Sequence, residues 1–556
     1  MDNRKYNVYF NTHTISGIII CAILYVIFFA GSFSFFKEDI TAWQKNTSYV
    51  ASRKTVIKDF DHIIDSLGQN NKLKGRDFDF FIQKHDVGAY VTMTASNDST
   101  LKKKVKAKPI GEVKKRRGRG GDDDTKYFTY DFAQQKASDY ADSYDMGEFL
   151  YRLHFLAQLN FVPIRLGAPF GYLLAGIVSF IFLFALITGL MLHWDKMVSN
   201  FFTFRPWAKW KALWTDLHTA IGVIGFPFQL IFAVTGIVLI ANTFLLVPYT
   251  KYLYKGNSAA LYQDLEYSDS AKYKYSYQPL QSSFNINDFV TKVENKWQHS
   301  RISAIQIKNY GDANMHLIVT AKPDADVSFS GTGKMVYRVR DRKILKEIAP
   351  DQGSTYVDKV RSLVYHLHYG DFGGRPLRVI FFVLGVMGCL VIISGILIWL
   401  VARDKKNVPR RKRIFNFWTA NIFMASCLSM LPVTAFTMVS LLFIEKPNQS
   451  DIYHLYFYSW LALSIYFIAR KSLAITNHQT LLLSSLLCFL LPLIDGIKRN
   501  NWFWNTFNQG KFDILFIDLL FLILAIISAV VLVKMKQHRK KVVKKPKHDH
   551  VEAIVA

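Results

Sequence analysis

The chain has 556 residues, 51% of them apolar, with 45 Phe, 28 Tyr and a formal net charge of +27 at pH 7. Its four cysteines have no spacing suited to zinc or an iron–sulfur cluster, and no soluble basic domain exists to carry nucleic-acid binding, so no nucleic-acid partner is expected. The apolar residues gather in long runs, which makes the chain a polytopic membrane protein rather than a large soluble one.

In chain order the runs fall at residues 15–36, 169–192, 219–247, 378–401, 417–444, 452–469, 479–495 and 513–534. Each is long enough, or nearly so, to cross the ~30 Å hydrocarbon core, so eight transmembrane helices are expected in a mainly α membrane protein. The first follows Arg4 and Lys5, as a secretory signal would. It runs beyond a signal's apolar region without a small-residue cleavage pattern, and is read as an anchor.

The spans divide the chain into helix 1 (1–36), an outer segment (37–168), helices 2 and 3 (169–247), a second outer segment (248–377), helix 4 (378–402), helices 5 to 8 (403–535) and a basic tail (536–556). In the first outer segment a helix is expected near 56–67, then strands near 78–82 and 90–94. A basic, Gly-containing stretch at 101–126 reads as a flexible hairpin insertion. In the second, Asn285 caps a helix running to Trp297 with Asp288 in its first turn. Strands follow at 303–308, 316–321 and 335–340, the first two separated by the turn Tyr310-Gly311-Asp312. Each outer segment therefore reads as a small α+β domain.

Lys405, Lys406, the basic cluster 410–413, Arg470, Lys471 and the tail from Lys534 fall on one side if eight helices alternate. That side is then cytoplasmic, with both termini inside a bacterial inner membrane. Cys21, Cys389, Cys427 and Cys488 all lie within spans, so the outer segments do not rely on disulfides.

The two halves of the first four helices repeat. His13 is followed by Gly17 and Gly31, and His218 by Gly222 and Gly236, at identical intervals; Thr188-Gly189 in helix 2 matches Ser394-Gly395 in helix 4, with His193 and Trp399 four residues beyond each glycine. A duplicated four-helix core plus four extra helices is expected, with the duplicates related by an axis along the membrane normal.

Six histidines stand at the span ends: His13, His193 and His218 at one face, His154, His366 and His368 at the other. Ionisable groups at this depth are costly, so two histidine clusters at two depths suggest two cofactor sites stacked across the membrane. Haem iron accepts two axial imidazoles, and small residues give a tetrapyrrole room between helices. Symmetry pairs His13 with His218 for an inner haem b, and His154 with His368 or His366 for an outer one. His193 could replace either inner ligand. His366 and His368 point to different helical faces, so only one serves, and His368 is preferred. Arg152, Arg375, Arg378, Lys196 and Lys209 are near enough in sequence to meet haem propionates, although membrane anchoring explains them equally.

The pieces His13-x-x-x-Gly17, Leu153-His154, Thr188-Gly189 with His193, Asp216-Leu217-His218 with Gly222 and Thr235-Gly236, and 368–374 (His-Tyr-Gly-Asp-Phe-Gly-Gly) resemble the PepSY-associated transmembrane family over about residues 5–402. The resemblance implies four core helices, two periplasmic PepSY-type α+β domains and, as in the iron-uptake members, a haem-bearing inner-membrane reductase of ferric siderophores. Two features depart from the family pattern: His13 is followed by Thr14 rather than Arg, and Ala30-Gly31 stands for Thr-Gly.

The function expected is transfer of electrons through two haems to a periplasmic ferric siderophore or other iron(III) chelate for iron uptake. No Gly-x-Gly-x-x-Gly follows a strand, so the electron donor is separate: membrane quinol or a cytoplasmic reductase. Two other classes stay open on the sequence: a ferric-chelate permease using Asp518 in helix 8, and a non-enzymatic PepSY binding or regulatory protein.

Overall fold

The computed structural model describes residues 2–543 apart from 50–57, 84–87, 101–123, 165–168, 204, 206–209, 266–272, 325–327, 351–354 and 406. The expected hairpin insertion and the end of the basic tail thus lie outside the described residues. Two compact units emerge: Met1–Val50, Tyr144–Leu245 and Leu367–Ala556 form one, and Ala51–Ser143 with Leu246–His366 the other.

The first unit is helical. Eight helices are long and apolar enough to cross a membrane: Asn3–Ser34, Phe170–His193, Lys211–Ile240, Gly374–Arg403, Arg410–Leu441, Gln449–Arg470, Leu473–Arg499 and Phe512–Gln537. Each coincides with an expected run and mostly extends it into polar flanks, because a helix continues until a cap or proline stops it. Helix α1 (Asn3–Ser34) begins where Asp2 accepts from the Arg4 amide, and a short α2 (Lys37–Lys45) turns off its end.

Around α1 the first four spans close a ring. It packs on α5 (Phe170–His193) and α12 (Gly374–Arg403), and both of these pack on α7 (Trp210–Gly236), so α1 and α7 occupy opposite corners. Immediately past Gly236 the backbone widens into a π-helical turn, Ile237–Ala241. The short α4 (Met146–His154), capped by Asp145 accepting from the Glu148 amide at 2.9 Å, lies against α1 and α2. The remaining spans are α13 and α14 (Arg410–Leu428 and Met430–Leu441, broken at Ser429), α15 (Gln449–Arg470), α16 (Leu473–Arg499) and α18 (Phe512–Val543), and shorter helices α6 (Met197–Phe202), α8 (Asn242–Tyr252), α9 (Ser258–Asp264) and α17 (Phe503–Asn508) complete the series.

The second unit differs from the expectation of two small domains. β1 (Phe78–Ile82), β2 (Gly88–Met93), β3 (Lys126–Asp131) and β4 (Lys136–Asp139) of the first outer segment join β5 (Ser300–Lys308), β6 (His316–Pro323), β7 (Gly333–Arg338) and β8 (Lys343–Ile348) of the second in one eight-stranded antiparallel sheet, ordered β4-β3-β2-β1-β5-β6-β7-β8. The join is β1 (Phe78–Ile82) on β5 (Ser300–Lys308), with Phe78 opposite Ile307 and Phe80 opposite Ile305. Pairing these two strands removes an exposed edge from each half. All four residues are fully buried beneath α3 (Phe60–Gly68) and α10 (Ile286–Lys296). The two helices cap one another. Asp61 accepts from the amides of Ile286 and Asn287 at 2.8 and 3.0 Å, and Asn287 accepts from the Phe60 amide at 2.7 Å.

Candidate functional site

Four histidines of the helical unit meet as two facing pairs. His13 of α1 and His218 of α7 face each other across the ring with ring centres 6.2 Å apart and planes at 69°. At the other end His154, the last residue of α4, faces His368 of α11 (Tyr356–Tyr369) at 5.8 Å and 40°. His13 and Gly31, the residue on which His154 rests, are eighteen positions apart on α1. At 1.5 Å per residue the pairs are separated by about 27 Å, close to the thickness of a hydrocarbon core.

The same local device seats every ring. His13 Nδ1 lies 2.9 Å from the Ala185 carbonyl, His218 Nδ1 2.9 Å from that of Val391, and His154 Nδ1 2.8 Å from that of Ile27. Each carbonyl belongs to the residue four before a glycine: Gly189, Gly395 and Gly31. A Cβ on those glycines would stand 3.0 Å from His13 Cε1, 3.2 Å from His218 Cε1 and 2.5 Å from His154 Nδ1, so a side chain at Gly31 would displace its ring and one at Gly189 or Gly395 would crowd it. His368 uses a variant of the device. Its Nδ1 lies 2.8 Å from Thr235 Oγ1, beside Gly236.

These partners fix the proton. A carbonyl only accepts, so Nδ1 of His13, His218 and His154 is the donor. Thr235 Oγ1 already gives its one proton to the Ile231 carbonyl at 2.6 Å, so His368 Nδ1 donates as well. In the neutral ring, Nε2 of all four then keeps its lone pair, as a metal ligand requires. Burial pushes His368 down to about 3, with His154 close by adding to the effect, and burial also lowers His154 against the opposing pull of the Ile27 carbonyl. Among the described residues no group of three or more His, Cys, Asp or Glu gathers as a metal site, so these imidazoles come as pairs.

The remaining candidates lie outside the two facing pairs. His366 belongs to the sheet-bearing unit, where its ring meets Phe329 edge-on at 5.5 Å. His193 closes α5, four residues past Gly189, near enough to His218 for the two imidazoles to interact electrostatically. The arginines proposed for propionates have carboxylate partners: Arg375 and Arg378 reach Asp39 at 2.8 and 3.3 Å, and Arg152 reaches Glu148 at 2.9 Å. Lys209 and the Lys196 side chain lie outside the described residues. Above the outer pair the hydroxyls of Tyr151 and Tyr369 are 3.2 Å apart, and Gly370 ends α11 in a left-handed conformation, φ 58°, that turns the chain toward α12.

Sequence reasoning assigned the glycines one role, and the structure gives them two. Gly31, Gly189 and Gly395 lie against imidazoles, whereas a Cβ on Gly17 or Gly222, one turn past His13 and His218, would meet nothing within 4 Å. The Ser/Thr-Gly repeats marked the first role, but which ring each glycine serves is a tertiary fact. Also missed was the ion pair of buried Asp216, two residues before His218, with Arg205 at 2.8 and 2.9 Å. Residues 10–402 match the family described as PepSY-associated TM region; no curated protein matches the chain.

Proposed function

The chain belongs to the PepSY-associated TM family, and from that premise we propose that it is a haem-containing reductase of the bacterial inner membrane. It passes electrons from the cytoplasmic side to a ferric chelate, of siderophore type, in the periplasm. The observation that carries the reading is the spacing of the imidazole pairs. Two metal–nitrogen bonds of about 2 Å, plus about 1 Å from each nitrogen to its ring centre, require about 6 Å between centres. The pairs stand at 6.2 and 5.8 Å.

Haem bound between such rings supplies a one-electron couple at each level. The chain's own groups do the rest. The Nδ1–H donations hold each ring in one tautomer and orientation and raise the basicity of Nε2. The open space beside Gly17 and Gly222 leaves room for a flat macrocycle against α1 and α7. The sheet-bearing unit, read as a fused pair of PepSY-type domains, lies in the periplasm, and both termini lie in the cytoplasm, a reading that the Lys- and Arg-rich short loops support. Electrons enter at the His13–His218 level from quinol or a separate reductase. They leave at the His154–His368 level, where an iron(III) chelate loosens on reduction because ferrous iron binds hard oxygen donors less tightly.

The test is vectorial. With the haem-loaded chain in liposomes and a ferric chelate plus a ferrous-specific indicator trapped on the side of the sheet unit, reductant added on the opposite side should develop the indicator. His218→Ala should abolish the signal. Equal rates with and without protein, or with and without His218, would refute a transmembrane electron path.

A further inference from the structure

The four spans beyond residue 402 lie outside the family match; α13 packs on α12 and α1, α18 packs on the short α2, and side chains of α15 reach the short α4. Phe149, fully buried on α4, packs against Tyr456 of α15 with ring centres 4.6 Å apart and planes at 54°, and Tyr453 and Phe457 close the same pocket at 5.8 and 5.7 Å. Such aromatic clusters fix geometry as well as burying area.

Polar groups hold α2 to two further added spans. Trp43 Nε1 donates to Asp518 of α18 at 2.9 Å, and Arg499 of α16 donates to the Trp43 and Gln44 carbonyls at 2.9 and 3.0 Å. Just past α2, Ser48 Oγ and the Tyr49 amide donate to the two oxygens of Asp513 at 2.6 and 2.8 Å. In turn α2 grips α4. Gln44 accepts from the Met146 amide at 2.7 Å, Thr41 donates to Asp145 at 2.9 Å, and Lys37 pairs with Glu148 at 2.5 Å.

A nine-residue helix does not persist alone in water, so the position of α4 is set by what it packs on. Its last residue is His154. We propose that three of the four added spans, α15, α16 and α18, are a brace that fixes His154 in the outer imidazole pair, with Tyr456 and Asp518 as positioning residues. His368, by contrast, is anchored from within the ring, by Thr235. Asp518 is fully buried and bonded to Trp43, which gives this intramembrane carboxyl a structural use in place of the pathway role that a permease would assign it. The ligand role of His154 rests on the haem reading; the brace does not.

Hydrogen exchange on the full chain in nanodiscs tests it, comparing wild type with Tyr456→Ala, Tyr456→Phe and Asp518→Leu. Amides of Met146–His154 should exchange faster by about tenfold or more in Tyr456→Ala and Asp518→Leu, and stay as in wild type in Tyr456→Phe, which keeps the ring. Amides of α7 around His218 should not change. In haem-loaded protein the outer site's midpoint potential should shift in Tyr456→Ala while the inner one holds. Unchanged α4 exchange, or equal acceleration at α7, overturns the brace. If Tyr456→Ala does not fold, Phe149→Leu loosens the same contact from the other side and decides in the same way. A chain that binds no haem refutes the ligand reading, while α4 exchange still decides the brace.

Discussion

At Gly31 a single missing methyl group decides whether an imidazole can sit. A Cβ there would stand 2.5 Å from His154 Nδ1, and the ring would lose both its seat and the Ile27 carbonyl. Gly31→Val should therefore weaken cofactor binding at the outer level about 10- to 100-fold, the usual cost of disturbing a ligand's orienting partner, and leave the inner level intact. Titration of apo-protein with haem measures it. The departure of Ala30 from the Thr-Gly pattern also acquires a reason: His154 takes a backbone carbonyl, whereas His368 needs the hydroxyl of Thr235. The inner pairing of His13 with His218 was suggested by the matched intervals to Gly17 and Gly31 and to Gly222 and Gly236, whereas the outer pairing had no matched interval behind it and left His366 open beside His368. The carbonyl four residues before each glycine was not legible, since it is defined only once helices are side by side.

His316, elsewhere, carries a pH dependence. It is buried in the sheet under the Tyr273 ring, and burial lowers its pKa, with the Asn314 carbonyl opposing and Arg338 and Arg340 adding to the fall. The unfolded chain, with a value of about 6.5, therefore binds a proton that the folded chain refuses, so stability is present above that value and is lost as pH falls below it. Exchange of β6 amides (His316–Pro323), corrected for intrinsic rate, should accelerate from about pH 7 to about pH 5, and less so in His316→Gln.

At the scale of elements, the eight spans were readable because length and hydropathy alone define them. The capped helix after Asn285 was readable too, and the Asn285 side chain accepts from the Asp288 amide at 2.9 Å. β3, β4 and β8 were not. β4 is four residues long and β8, Lys343–Ile348, is exposed along most of its length, so neither shows the alternation that burial of one face imposes. Joining of the two halves through β1 and β5 was equally hidden, because an edge strand and a central strand differ in partner rather than in pattern. The reciprocal caps at the join make a sharp prediction. Asp61→Ala strands the amides of Ile286 and Asn287 and should destabilise the sheet unit by about 1–2 kcal/mol, read as loss of exchange protection in β1 and β5.

For the whole molecule, the native cysteines are all buried in the described structure, so an introduced thiol reports topology against a quiet background. Asp2→Cys should react with an impermeant maleimide only from the cytoplasmic side, and Gln134→Cys, exposed in the sheet unit, only from the periplasmic side. The opposite pattern would reverse the direction assigned to electron flow.

Everything about function depends on two imidazole pairs each gripping one iron. The direct measurement is the reduced-minus-oxidised spectrum and haemochrome content of the purified chain, alongside His13→Ala and His154→Ala. Low-spin bis-imidazole bands at about two haems per chain are predicted, with each variant losing roughly one. A colourless protein, or two variants that keep the full haem content, would contradict the account.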